Sequence, residues 1–254
     1  MSGALRPPAS LPSALLALLA LAVFCAAVPG AAAAAPSAVI RPSFAPDSPG
    51  ARTSFAFAYT LRDPEGEGEV PSPLRTMQVR LPAGLGIDLR GAAGCAPARL
   101  RSGGPAACPA SSLLGRGHAQ LEVHAGSQSI PEDAVVSAVR IPDRAGHPAL
   151  AIFGRGDTPL QEQTISTATL LADKAPYGAR LAVSIPPIPT LVLEPDASII
   201  SFSLTLGGVR PHAAGAFTVP RRCPPAGFPF AAEFGFADGS RTTATARVRC
   251  PGHA

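Results

Sequence analysis

The chain has 254 residues, with 21 Lys and Arg against 17 Asp and Glu, a formal net charge of +4, no Trp, 2 Tyr and 11 Phe. The basic residues do not cluster enough for a nucleic-acid partner, and with only Tyr59 and Tyr177 beside the phenylalanines the chain is poor in the aromatic platforms that hold sugars. Its 30 Pro and 25 Gly imply many turns without reaching the level that marks disorder.

From the N-terminus, a short polar start with Arg6, an apolar run over 13–28, a break at Pro29 and Gly30 and a small-residue string read as a secretory signal over residues 1–35. Cleavage is expected near Ala33 to Ala35. The rival is an uncleaved anchor, because the apolar stretch approaches a membrane span when the alanines are counted. Phe24 stands before Cys25, where a lipidation signal carries a small residue, so lipid attachment is disfavoured. Residues 36–254 are expected to form one domain.

Along that domain, short runs rich in Val, Ile, Phe and Thr recur between Pro and Gly clusters, at 54–61, 77–81, 118–124, 134–141, 149–153, 164–171, 180–185, 199–206 and 216–219. Such spacing predicts an all-β, antiparallel β-sandwich, Ig-like or similar. Only 106–114 and part of 161–173 are arguable as helix. The charged, proline-rich stretch 62–73 and the Gly, Ala and Pro-rich stretch 91–109 read as loops.

The last predicted element is the clearest. Phe228, Phe230, Ala232, Phe234 and Phe236 fall on one face of a strand, and Thr242, Ala244, Ala246, Val248 and Cys250 on one face of its return. Both apolar faces coincide only if even residues pair with even ones. A two-residue Asp-Gly turn breaks that rule, whereas a three-residue loop of Ala237, Asp238 and Gly239 sets Phe234 opposite Thr242 and puts Gly239 at the left-handed position.

Beyond residue 35 the cysteines are Cys95, Cys108, Cys223 and Cys250, an even number, as disulfides in an exported chain require. Of three connectivities the sequential one is favoured, Cys95 with Cys108 and Cys223 with Cys250, each restricting the unfolded chain by about 3–4 kcal/mol on the loop-entropy model. No CxxC spacing supports zinc.

Chemistry-bearing candidates are few. His118, Glu122 and His124 share one face of a predicted strand and are weak metal candidates, with His147 and His212 as partners only through tertiary contact; a solvated polar face is the plainer reading. Asp63, Glu65, Glu67 and Glu69 alternate around Gly66 and Gly68 like the start of a calcium loop, but Leu74 stands where the bidentate Glu belongs. Arg241, Arg247 and Arg249 project from the outer face of the last strand, with Arg221 and Arg222 entering beside it if the second disulfide closes. These five are candidates for binding a polyanion; outward charges also protect an edge strand without any ligand. None of the GxSxG, SxxK or HExxH patterns occurs, so no catalytic residue and no cofactor is assigned.

Several fragments look familiar together: LPAGLGIDLRGAAGC with CPASSLLGRGHA, then APYGARLAVSIPP, then SFSLTLGG with CPPAGFPFAAEFGFADGS and a closing RCP. From about residue 78 onward the chain resembles uncharacterised secreted, disulfide-containing, β-rich proteins of high-GC actinobacteria. Cys108, Pro109, Ser112 and Gly115 fit the CPxxSxxG segment, and Phe234, Asp238 and Gly239 fit the Phe-rich hairpin between cysteines. The resemblance implies export, disulfides and β architecture, and no catalytic residue. The resulting expectation is a secreted or cell-surface, non-catalytic binding or structural protein whose partner is an anionic wall polymer or an envelope protein. A secreted hydrolase with a loop-built site and a metal-binding module are the alternatives. The membrane would enter only through an uncleaved signal segment.

Overall fold

Apolar and polar residues alternate with period two along most of the chain, and in the computed structural model those stretches are strands; it describes residues 3, 36–63, 70–125, 128–156, 161–190, 194–207 and 216–250. The segment read as a secretory signal lies outside the described residues, apart from Gly3. Residues 34–254 form one compact unit.

In chain order the strands are β1 (Ser37–Ala45), β2 (Arg52–Arg62), β3 (Leu74–Pro82), β4 (Gly86–Ile87), β5 (Leu113–Ala125), β6 (Gln128–Arg144), β7 (His147–Gly156), β8 (Gln163–Ala172), β9 (Tyr177–Ser184), β10 (Ser198–Leu206), β11 (Phe217–Thr218), β12 (Phe228–Phe236) and β13 (Arg241–Val248). Among the described residues one α-helix, α1 (Pro97–Gly103), stands between β4 and β5. Hydrogen-bonded neighbours run β13-β12-β3-β9-β8-β7-β6-β5-β10-β2, with β1 on the other edge of β2, and β11 and then β4 continuing from the start of β2. Every pairing is antiparallel. The all-β, antiparallel expectation therefore holds, with both layers belonging to one sheet that folds over on itself. β1 and β13 come close, but no ladder joins them among the described residues, so the sheet does not close into a barrel.

What folds the sheet over is the phenylalanine face of β12. Phe228, Phe230 and Phe234 are each at most 1% exposed. Across the interior Phe230 stacks on Phe55 of β2 at 5.6 Å between ring centroids, and Phe234 meets Tyr59 edge-on at 5.1 Å. Burying each such ring contributes about 1.5–3 kcal/mol, so the three together add about 4.5–9 kcal/mol of apolar driving force. The hairpin takes the expected register: Phe234 lies opposite Thr242, the Phe236 N–H donates to the Ser240 carbonyl at 3.0 Å, and Gly239 has φ +84°. Cys223 and Cys250 close its open end with Cα atoms 6.1 Å apart, and Pro224 to Gly227 makes the required bend through a Gly227 N–H to Pro224 carbonyl bond of 2.8 Å.

A second, smaller core lies on the outer face of the sheet. Cys95 and Cys108, Cα atoms 5.4 Å apart, tether a loop that lays α1 over β6 and β7. Pro97 opens the helix, where its missing N–H costs nothing, and the Gly104 N–H caps it on the Leu100 carbonyl at 2.9 Å. Leu100 is wholly buried against Val139, Ile141, Ala149, Ala151 and Phe153. Hence Val136 to Val139 are buried on both faces of β6, inward on the main core and outward under the loop.

Several expectations change. The helix falls at Pro97–Gly103, inside the stretch read as loop; of the two helical options, 106–114 holds only the 3-10 turns Pro105–Ala107 and Ala110–Ser112 before β5 begins, and 161–173 is strand β8. Strand β1 is not among the expected runs, which begin at residue 54. It tolerates Pro42 since only β2 pairs with it. Within β5, Gly115 and Gly117 let β10 approach: a Cβ on Gly117 would stand 1.9 Å from the Ser203 carbonyl oxygen.

Candidate functional site

Outward side chains on the β13-β12-β3-β9 part of the sheet come from odd positions of β13 and β12 and even positions of β3 and β9. The register aligns Thr245, Ala231, Arg80 and Arg180 in one row across four strands. Arg247 stands two residues along β13 from that row, and Arg249 follows just beyond the strand; both are exposed. At strand spacings of about 4.8 Å and about 3.4 Å per residue, the Cα atoms of Arg80 and Arg247 lie about 12 Å apart. Between them stand only Ala231, Pro229 and Thr245, so the surface is low and the guanidinium groups are its tallest features.

Two arginines directly opposite each other in adjacent strands repel. Here Asp173, at the end of β8, lies against Arg80 with 3.6 Å between Nε and the carboxylate, and the Arg80 guanidinium stacks 5.7 Å over the Tyr177 ring. Arg80 keeps 44% of its side chain exposed, so the contact positions the guanidinium while leaving it reachable. The face bears Arg80, Arg180, Arg247 and Arg249 against Asp173 and, two residues along β12 from Ala231, Glu233, which Arg241 pairs, so the surface stays net positive.

Of the five arginines singled out in the sequence, Arg247 and Arg249 lie on this face. Arg222 is exposed and precedes Cys223, whose bond to Cys250 brings its chain segment beside that of Arg249. Arg221 turns instead toward Gly50 at the β1–β2 turn, its Cγ 3.6 Å from where a Cβ on that glycine would sit. Arg241 stands eight residues from Arg249, about 27 Å along the strand, and its guanidinium donates to the Glu233 carboxylate at 2.8 Å. It therefore drops out of the patch. Arg80 and Arg180 were missed: alternation alone places Gln78 and Arg80 on one face, but only the β3–β12 and β3–β9 pairings bring that face beside Arg247.

Of the metal candidates, the described residues place only His118, Glu122 and His147. His118 and Glu122 are four residues apart on β5, about 14 Å, and Glu122 accepts a hydrogen bond from the Ser129 hydroxyl on β6. His147 lies at the β6–β7 turn, eight residues along β7 from Arg155, whose partner Val135 is also the neighbour of His118. Among the described residues no group of three or more His, Cys, Asp or Glu side chains is placed to hold a metal ion. The side chain of His124 and all of His212 lie outside the described residues, as do Glu65, Glu67 and Glu69. Leu74, at the last calcium-loop position, is 3% exposed and belongs to the core.

Three spaces among the described residues can be weighed by size. Between the sheet layers a cavity of about 70 Å³ is lined by Tyr59, Met77, Val136 and Phe202, with Glu132 and Glu162 on one wall; a neighbouring one of about 50 Å³ is wholly apolar. Burial pushes the Tyr59 phenol well above its usual range. Ligand sites are typically about 300–1,000 Å³, so the two carboxylates share a space too small for a sugar ring. The third, a groove of about 740 Å³ between the Cys95–Cys108 loop and the outer face of β5, β6 and β7, is of ligand size. Elsewhere, the exposed Asp88 carboxyl is held well below the usual carboxylate range by hydrogen bonds from the Arg90 side chain and N–H.

Compared with known proteins, the chain matches no family model, no curated protein and no solved structure. No helix among the described residues is long and apolar enough to cross a membrane. Two disulfides in one small domain fit an oxidising compartment.

Proposed function

We propose that the protein is an exported, non-catalytic envelope or extracellular component that binds an anionic surface polymer through the arginine face of β13, β12, β3 and β9. The observation that carries this reading is the row of Arg80 and Arg180 in register with β12 and β13, beside Arg247 and Arg249 and separated from them only by small residues. A flat cationic surface suits an extended polyanion, whose charges repeat at intervals, better than a compact ligand, which needs a concave site. The two disulfides, the signal-like residues 1–35 and the resemblance to secreted β-rich proteins support export.

Charges on such a surface act through a screened field with a range of about 8 Å at physiological ionic strength. Each arginine near an anionic surface contributes about 1 kcal/mol. Replacing Arg247 and Arg249 together by Ser is therefore expected to weaken retention on an anionic wall fraction about tenfold or more at low salt, with the difference shrinking as salt rises. Arg241→Ser, outside the patch, is expected to change retention little. Retention unchanged in the double variant, or lost equally with Arg241→Ser, would remove the arginine face as the binding surface.

A further inference from the structure

The cavity of about 70 Å³ between the sheet layers does not depend on the arginine face, and the strand pairings explain why it exists. Ala119 of β5, Ala134 of β6 and Gly156 of β7 stand in one inward row, and Gly154 follows two residues along β7, opposite Val136. Period two leads to large apolar side chains at inward positions, as at Leu121 and Ile152 beside them, so a patch of four small residues leaves a hollow walled by Met77 and Phe202. At Gly154 the room is measurable. A first side-chain carbon there meets nothing nearer than the Thr164 carbonyl oxygen at 4.0 Å, and the backbone is not left-handed, so no local constraint demands a glycine.

The lining gives this hollow a chemistry. Tyr59 lines it and is 2% exposed, and its hydroxyl makes no hydrogen bond among the described residues. A buried donor without an acceptor is costly. Glu162 lines the same space and is exposed, so the hollow reaches the surface at the start of β8; with Glu132 it puts carboxylates on that wall, which disfavours an anion. The wholly apolar cavity of about 50 Å³ adjoins it. Met77, Ile152 and Phe202 line both, and the unbranched Met77 is the adaptable part of that partition. A dry cavity of about 150 Å³ admits one benzene ring; each space here is under half of that, which excludes a ring and leaves room for a single chain.

From this combination we infer that the interior binds a short, unbranched, uncharged aliphatic molecule carrying one oxygen acceptor, of the size of 1-butanol. Its chain lies over Ala119, Ala134 and Gly154, where the missing side chains leave room, and its oxygen accepts a hydrogen bond from the Tyr59 hydroxyl. Such a ligand buries its apolar surface in space that already exists and gives the phenol an acceptor.

The test uses 1-butanol as probe, with cyclohexanol as its ring-bearing, butyrate as its anionic and xenon as its oxygen-free counterpart, each titrated into the intact disulfide-bonded protein and followed by side-chain methyl shifts. 1-Butanol is expected to shift the methyl resonances of Met77, Ala119 and Ala134, whereas cyclohexanol and butyrate leave them in place. A neutral hydrogen bond is worth about two- to tenfold in affinity, so Tyr59→Phe is expected to weaken 1-butanol by about that factor while xenon binds as before. Gly154→Val fills the hollow from a position with room and is expected to exclude both 1-butanol and xenon without lowering the melting temperature. Should the bulk of valine unfold the chain, Gly154→Ala, whose added carbon touches nothing, is expected to weaken both. Arg247→Ser is expected to change neither. Equal shifts from cyclohexanol or butyrate, shifts confined to other methyl groups, 1-butanol affinity unaltered by Tyr59→Phe or by a folded Gly154 variant, or no shift at millimolar concentration would each overturn the inference. Loss of polymer retention with 1-butanol binding preserved would count against the arginine face alone.

Discussion

Phe234→Ala is expected to lower the unfolding free energy by about 3–5 kcal/mol, the usual cost of deleting a fully buried aromatic ring. Phe234 is 0% exposed, sits in the middle of β12 and meets Tyr59 on the facing layer. Neighbours on both sides are held in their own ladders, β12 by β3 and β13, and Tyr59 by β1 and β10, so the hole cannot collapse. A domain of this size loses about 2–4 °C in Tm per kcal/mol, so the melting temperature should fall by about 6–20 °C. Glu233→Ala, one residue away on the outer face, removes only the exposed pair with Arg241 and should cost less than about 1 kcal/mol. If the two substitutions cost the same, Phe234 does not join the layers.

Gly117→Ala should be nearly as damaging, for a different reason. Its Cβ would lie 1.9 Å from the Ser203 carbonyl oxygen and 2.8 Å from the Leu204 Cα, so it meets backbone and no rotamer change relieves it. β5 and β10 must then separate, in the middle of the connection that joins the β5–β9 meander to β2. Overpacking of this kind costs about 1–3 kcal/mol and more where the backbone must move. Chemical denaturation is the measure. Gly91→Ala, with open space around its Cβ position, should be neutral. A stable Gly117→Ala variant would mean that the β5–β10 pairing is looser than described.

The contrast between these two residues shows what the sequence discloses. Phe234 belongs to a run whose period-two pattern, paired cysteines and Asp-Gly loop state the strand, the face and the register together, so the last hairpin was legible to the residue. The strands of the β5–β9 meander were legible as runs because each neighbour in sequence is also its neighbour in space. By contrast β3 pairs with β9 and β12, and β2 with β10; no local signal states which distant strands meet. Gly117 has no meaning until β10 is beside it, and Arg80 none until β12 is. Ala119, Ala134 and Gly156 likewise become one patch only through the register of β5, β6 and β7. Helix α1 stayed hidden for another reason: seven residues are too few to show a helical period, and its one buried side chain, Leu100, packs on the outside of the sheet.

The β12–β3–β9 register carries both the buried phenylalanine face and the outward arginine row, so its direct measurement is the decisive one. Cross-strand backbone NOEs in the disulfide-bonded protein should link Ala231 to Arg80 and Arg80 to Arg180. A slip of one residue, or no contact between β12 and β3, would turn Arg80 inward or remove it from the row and contradict the arginine face at its foundation.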